Sequence, residues 1–129
     1  MSFIPHQSDD GLQPWEYYPA AAGAYKVGQM LTMTGGKLTA ISAATKTTPP
    51  YVCMAEKTVA AGELIPVMRV TKRMIFETSL SSAAASATIG SLLEVSTGGL
   101  EVDAAAAGTF ETTYIDGTDV GAMVRGRFQ

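Results

Sequence analysis

Residues 27–40, VGQMLTMTGGKLTA, and residues 89–102, IGSLLEVSTGGLEV, write one pattern twice. Shifting the chain on itself by 62 residues places Gly28 on Gly90, Leu31 on Leu93, Met33 on Val95, Gly36 on Gly98 and Leu38 on Leu100 without a gap. Each copy is an apolar segment, a Gly-Gly break that tolerates positive φ, and a second apolar segment. That combination is a hairpin signal. With a small further shift, PYVCMAEKT (50–58) answers TYIDGTD (113–119) and VMRV (67–70) answers MVRG (123–126). A lone hairpin is marginal in water, so two such units are expected to face each other and bury both apolar faces in one core.

The fold class this predicts is mainly β: a compact β-sandwich or barrel built from two related β-hairpin units, an extended N-terminal arm, and at most one or two short helices. The arm covers residues 1–23 and a single β domain covers 24–129, with repeat halves at about 24–78 and 86–128. Strands are expected near 25–33, 37–42, 51–57, 64–78, 91–96, 99–103, 110–116 and 120–128, where Val, Ile, Thr, Met and Tyr cluster between Gly-Gly, Pro-Pro and Asp-Gly breaks. The clearest alternation runs from Val67 to Thr78: Met68, Val70, Met74 and Phe76 share one face, Arg69, Thr71, Arg73 and Glu77 the other, and Lys72 is the one misfit. Pro66 cannot donate to a ladder, so it is expected at an edge or a bulge. SLSSAAASAT (79–88) reads as a short helix or an exposed linker, and DAAAAG (103–108) as one helical turn capped by Asp103 and ended by Gly108.

The first 23 residues differ in texture, because Pro5, Pro14 and Pro19 interrupt every helix register. Phe3, Ile4, Trp15, Tyr17 and Tyr18 lie along this arm, and Trp15 is the only tryptophan. Disordered segments are poor in aromatics, so the arm should dock, either on a partner or back on its own domain. Removing residues 1–19 is therefore expected to leave the domain folded and to weaken partner binding.

Hydrophobic residues make up 47% of the 129 and charged residues 16%, leaving a surface of Thr, Ser, Ala and Gly suited to burial against protein. A net charge of -3 without long runs of one sign argues against nucleic acid and anionic membrane as partners. No apolar stretch reaches the ~18 residues that a spanning helix needs, and MSFIPHQSDD lacks the basic and apolar regions of a signal peptide. The one cysteine, Cys53, sits in the apolar run YVCMA and reads as a buried thiol.

Catalytic chemistry finds few residues to use. The only histidine, His6, lies in the arm without groups to orient it. One Cys and one His make no structural zinc site, and Asp116-Gly117-Thr118-Asp119 lacks the spacing of a calcium loop. Thr34-Gly35-Gly36-Lys37 lacks the spacing of a P-loop and is followed by strand-like residues. Glu56, Glu63, Glu77, Glu94, Glu101 and Glu111 are scattered, and spacing alone leaves glycoside hydrolysis open. The expectation is a non-enzyme with no cofactor and no metal. Arg69, Arg73, Arg125 and Arg127, two of them at matching places in the repeat, form a candidate docking strip or ordinary solvated strand faces.

The prolyl, aromatic arm, the G..L....G.L units, the segment TVAAGELIPVMRV (58–70) and the abundance of Ala, Thr and Gly together resemble the head decoration, or capsid cement, proteins of tailed bacteriophages. The likeness covers roughly residues 20–128 and is one of length, texture and order of elements. It implies a structural virion protein, made in the host cytoplasm, that binds the major capsid protein on the outer surface of the expanded shell as a homotrimer. It implies no catalytic residues, and it gives Phe3, Ile4, Trp15, Tyr17 and Tyr18 the capsid-binding role by position and character. Other readings are a tail, connector or fibre-base component and a carbohydrate-binding module.

Overall fold

A computed structural model describes residues 2–8, 14–44, 46–104 and 108–129. Among them are thirteen strands and no helix: β1 (Ile4–Ser8), β2 (Trp15–Pro19), β3 (Gly23–Tyr25), β4 (Met30–Thr34), β5 (Lys37–Ala40), β6 (Tyr51–Cys53), β7 (Lys57–Val59), β8 (Leu64–Arg69), β9 (Met74–Ser79), β10 (Leu92–Val95), β11 (Val102–Asp103), β12 (Phe110–Ile115) and β13 (Met123–Phe128). The helical turn expected at 103–108 lies in part outside the described residues. SLSSAAASAT is neither helix nor free linker: it is a chain of turns held by Ala84, which is buried and donates its amide to the Thr118 carbonyl.

All pairing is antiparallel within three sheets: a six-stranded sheet in the order β1-β9-β13-β12-β10-β11, a five-stranded sheet in the order β2-β8-β6-β4-β5, and a β3-β7 ribbon. One parallel bridge draws each large sheet toward closure, Ala20 with Leu38 in one and Leu80 with Val102 in the other. The six-stranded sheet has β1 and β11 at its edges, and the five-stranded sheet has β2 and β5. The two Gly-Gly hairpins differ in detail. Thr34 pairs with Lys37 across a two-residue turn, whereas Val95 pairs with Val102 across residues 96–101.

The two large sheets pack face to face. Met30, Val52 and Met68 from one meet Met74, Phe76, Leu93, Val95, Phe110, Val124 and Phe128 from the other in one buried cluster. A second cluster lies on the other face of the five-stranded sheet, where Leu31, Leu38, Tyr51, Cys53, Ile65 and Val67 pack with Tyr25 of β3 and Val59 of β7. Burial on both faces is why Tyr51, Val52 and Cys53 read as a continuous apolar run rather than an alternating one. It also leaves Cys53 as a buried thiol, its pKa pushed up by burial, with Sγ 3.1 Å from the Ala55 carbonyl.

Two expectations need correction. The single strand expected over 64–78 is two strands in different sheets, because the chain crosses from β8 to β9 between Val70 and Arg73. Lys72, the misfit in the alternation, stands in the crossing turn. Pro66 lies in an interior strand, not at an edge. Its carbonyl accepts from the Met54 amide on the β6 side, so its missing N–H also faces that side, just past the end of β6 at Cys53, and Tyr17↔Pro66 is a pair that exchanges no backbone hydrogen bonds.

The N-terminal segment is not an independent arm. β1 pairs with β9 through Ile4↔Glu77 and Pro5↔Phe76, and β2 pairs with β8 from Trp15↔Met68 to Pro19↔Leu64. Apolar alternation is weak in IPHQS and WEYYP, and their prolines argue against regular structure. Both tolerate proline because they are edge strands.

Candidate partner-binding surface

The five aromatic and apolar residues of the N-terminal segment separate into an inside and an outside group. Phe3 is 0% exposed and meets all the other phenylalanines of the chain, with ring centroids 6.2 Å from Phe76, 5.8 Å from Phe110 and 5.9 Å from Phe128. As a partner-binding residue Phe3 is therefore a correction: its ring is spent on the core. Ile4, Trp15 and Tyr17 point outward, 48%, 52% and 59% exposed. Trp15 and Tyr17 stand two positions apart on one face of β2, and among the described residues no strand pairs with the other side of Trp15–Pro19, β5 meeting the chain only at the Ala20–Leu38 bridge just beyond.

Tyr18, on the opposite face, is half-buried and joins a polar and aromatic cluster. Its hydroxyl donates to Glu16 Oε1 at 2.5 Å, its ring lies 5.4 Å from that of Tyr51, and Arg69 Nε reaches Glu16 Oε2 at 2.8 Å. The Arg69 guanidinium also lies 5.4 Å from the centre of the Tyr51 ring. The Tyr18 hydrogen bond, with Arg69 behind it, holds the Glu16 carboxyl below its ordinary range, and the same carboxylate pushes the Tyr18 hydroxyl up. Arg69 is thereby tied to β2, with its side chain still 55% exposed.

The arginines do not form one strip. Arg69 belongs to the five-stranded sheet, whereas Arg125 and Arg127 are on β13 of the six-stranded sheet. Arg125 is engaged within the chain, its Nε 3.0 Å from Glu77 Oε2 and its guanidinium 5.0 Å from the centre of the Tyr114 ring. Only Arg73 and Arg127 come together. With Lys72 they line an open cleft of about 670 Å³ whose other walls are Glu111, Phe128 and Gln129. Sequence reading missed Lys72 as a member, although the signal was present: a cation that breaks a strand's alternation marks a turn.

Among the described residues no three His, Cys, Asp or Glu side chains gather as metal ligands, and no helix is long and apolar enough to cross a membrane. No protein-family pattern matches this chain, and no curated protein matches its sequence.

The arrangement offers recognition chemistry. A rigid aromatic pair on a sheet edge contributes contact area at little entropic cost, and the open edge presents the Tyr17 backbone N–H and C=O to an incoming chain. The Tyr17 backbone points outward because Tyr17 and Pro66 form a pair that exchanges no backbone hydrogen bonds across the ladder.

Proposed function

We propose that this chain is a non-enzymatic structural protein of a virion, a head decoration protein that binds the major capsid protein on the outer surface of the shell as a homotrimer. The observation that carries the reading is the exposed Trp15 and Tyr17 pair on the open edge of β2. The sequence resemblance to capsid cement proteins supports it, as does a surface low in charge. The contact surface becomes Ile4, Trp15 and Tyr17, on strands pre-formed in the domain. Phe3 and Tyr18 hold those strands in place.

The mechanism is linkage. A protein that binds the assembled shell and not its dissociated parts stabilises the shell by mass action, and repetition over the lattice multiplies a modest contact. Pre-formed strands lower the ordering cost of each contact.

Co-sedimentation with expanded and unexpanded capsids of the cognate phage tests this. Saturable binding to expanded shells, lost in Trp15→Ala/Tyr17→Ala, is the expected result. Absence of binding to both forms sinks it. Aromatic side chains two residues apart also suit a sugar ring, and glycan-array binding lost in Trp15→Ala selects the carbohydrate-binding reading instead.

A further inference from the structure

We propose that the cleft of Lys72, Arg73 and Arg127 receives the acidic Asp116–Asp119 turn of a second copy of this chain, joining copies head to tail. Lys72 and Arg73 stand exposed in the crossing turn between β8 and β9, and Arg127 lies beside them at the open end of the β12–β13 hairpin. None of the three has an ion-pair partner among the described residues. The one side-chain carboxylate in the cleft, Glu111, accepts a 3.2 Å hydrogen bond from Gln129 Nε2. Arg127 Nε and Thr71 Oγ1, the latter one residue before Lys72, are buried without a hydrogen-bond partner in the protein. Both atoms lie beneath the surface, so what suits the cleft to oxygen acceptors is its three cations set against one engaged side-chain carboxylate.

The complementary group is on the same chain at the far end of the same hairpin. From Met74 to Val124 the sequence carries seven carboxylates and no Lys or Arg. Asp116 and Asp119 occupy the turn joining β12 to β13, and no cation contacts them among the described residues. In the strand register Arg127 faces Glu111, and Asp116, just past the end of β12, lies five residues further along the chain. That is roughly 17 Å at about 3.3 Å per residue, too far for the turn to reach its own cleft. The turn and the cleft can therefore meet only between molecules.

A contact between two different patches is heterologous, so it closes into a ring or runs on as a filament. Ring closure at three copies is the number the decoration reading expects, and the inference rests on that reading only for the number. The charges mainly set register and encounter rate, so association should fall as salt rises.

Analytical ultracentrifugation of the full chain, with no capsid present, tests the contact at low and high salt, separately from capsid binding. The unaltered protein should associate at low salt. Lys72→Glu/Arg73→Glu alters only exposed turn residues and should weaken association at least tenfold, as should Asp116→Lys/Asp119→Lys. The chain carrying all four changes restores complementary patches with signs exchanged and should associate again. A protein that is monomeric at low salt overturns the proposal, and so does a fourfold variant that stays apart while its circular dichroism spectrum is unchanged.

Discussion

The Phe3 amide donates a 2.8 Å hydrogen bond to the Gly28 carbonyl, and a Cβ built on Gly28 would lie 2.5 Å from the Phe3 carbonyl oxygen. The N-terminus is thus clamped where the first Gly-Gly unit begins, and only glycine, here at φ 80°, allows the two backbones to approach so closely. The clamp turns a proline-rich leader into part of the domain.

Phe3→Ala should therefore cost about 3–5 kcal/mol in urea unfolding, the range for emptying a phenylalanine site in a packed core. Removing residues 1–19 takes away the ring and two strands. The truncated chain should show loss of near-ultraviolet circular dichroism, in place of the folded domain expected from sequence. A truncation that melts like the full chain would refute the placement of β1.

Gly36 and Gly99 close the two Gly-Gly motifs with similar φ, 79° and 77°, yet their surroundings differ. A Cβ on Gly36 meets nothing within 4 Å, whereas one on Gly99 would lie 2.3 Å from the Met30 carbonyl oxygen. Gly36→Ala should lose about 1–2 kcal/mol from left-handed backbone strain alone. Gly99→Ala should lose more, because the Met30 amide also bonds to the Gly99 carbonyl at 2.7 Å. Equal losses in urea would contradict the docking of the second turn on β4.

Glu16 and Tyr18 should titrate away from each other. Glu16 has a lowered folded pKa, so its contribution to stability is full above the unfolded value of 4.5 and is lost as pH falls through the folded value. Tyr18 has a raised folded pKa, so its contribution is full below 10.0 and is lost as pH rises through the folded value. In a carboxyl NMR titration Glu16 should have a midpoint below that of an ordinary glutamate. Tyr18→Phe and Arg69→Leu should each move that midpoint up, and no movement in either variant would dissolve the cluster.

Cys53 should resist thiol reagents in the native state at pH 8 and react at once in denaturant, because burial raises its pKa and excludes the reagent. Rapid labelling of the folded protein would place this thiol at the surface.

Much of the β architecture is legible in the sequence because its signals are local. Alternation in Met74–Ser79 and Met123–Phe128, positive-φ glycines at turns and the two-sided apolar run at Tyr51–Cys53 each depend on a few neighbouring residues. The candidate site was less legible. Trp15 and Tyr17 are exposed and Phe3 is buried, a difference that the sequence did not show, since an aromatic residue in such a segment gives no sign of which core it will enter. The four arginines looked equivalent in strand-like segments, and only the partners Glu16 and Glu77 set two of them apart.

By itself the sequence determined that the chain is mainly β, that hairpins turn at two Gly-Gly pairs, and that Cys53 is internal. Tertiary structure alone decided that one alternating run crosses between sheets at Lys72, that β1 takes the edge of β9 while the edge of β2 stays open, and that Lys72, Arg73 and Arg127 converge. The reason is physical. Side-chain period is a property of consecutive residues, whereas the pairing of strand edges and the meeting of charges depend on contacts between residues far apart in the chain.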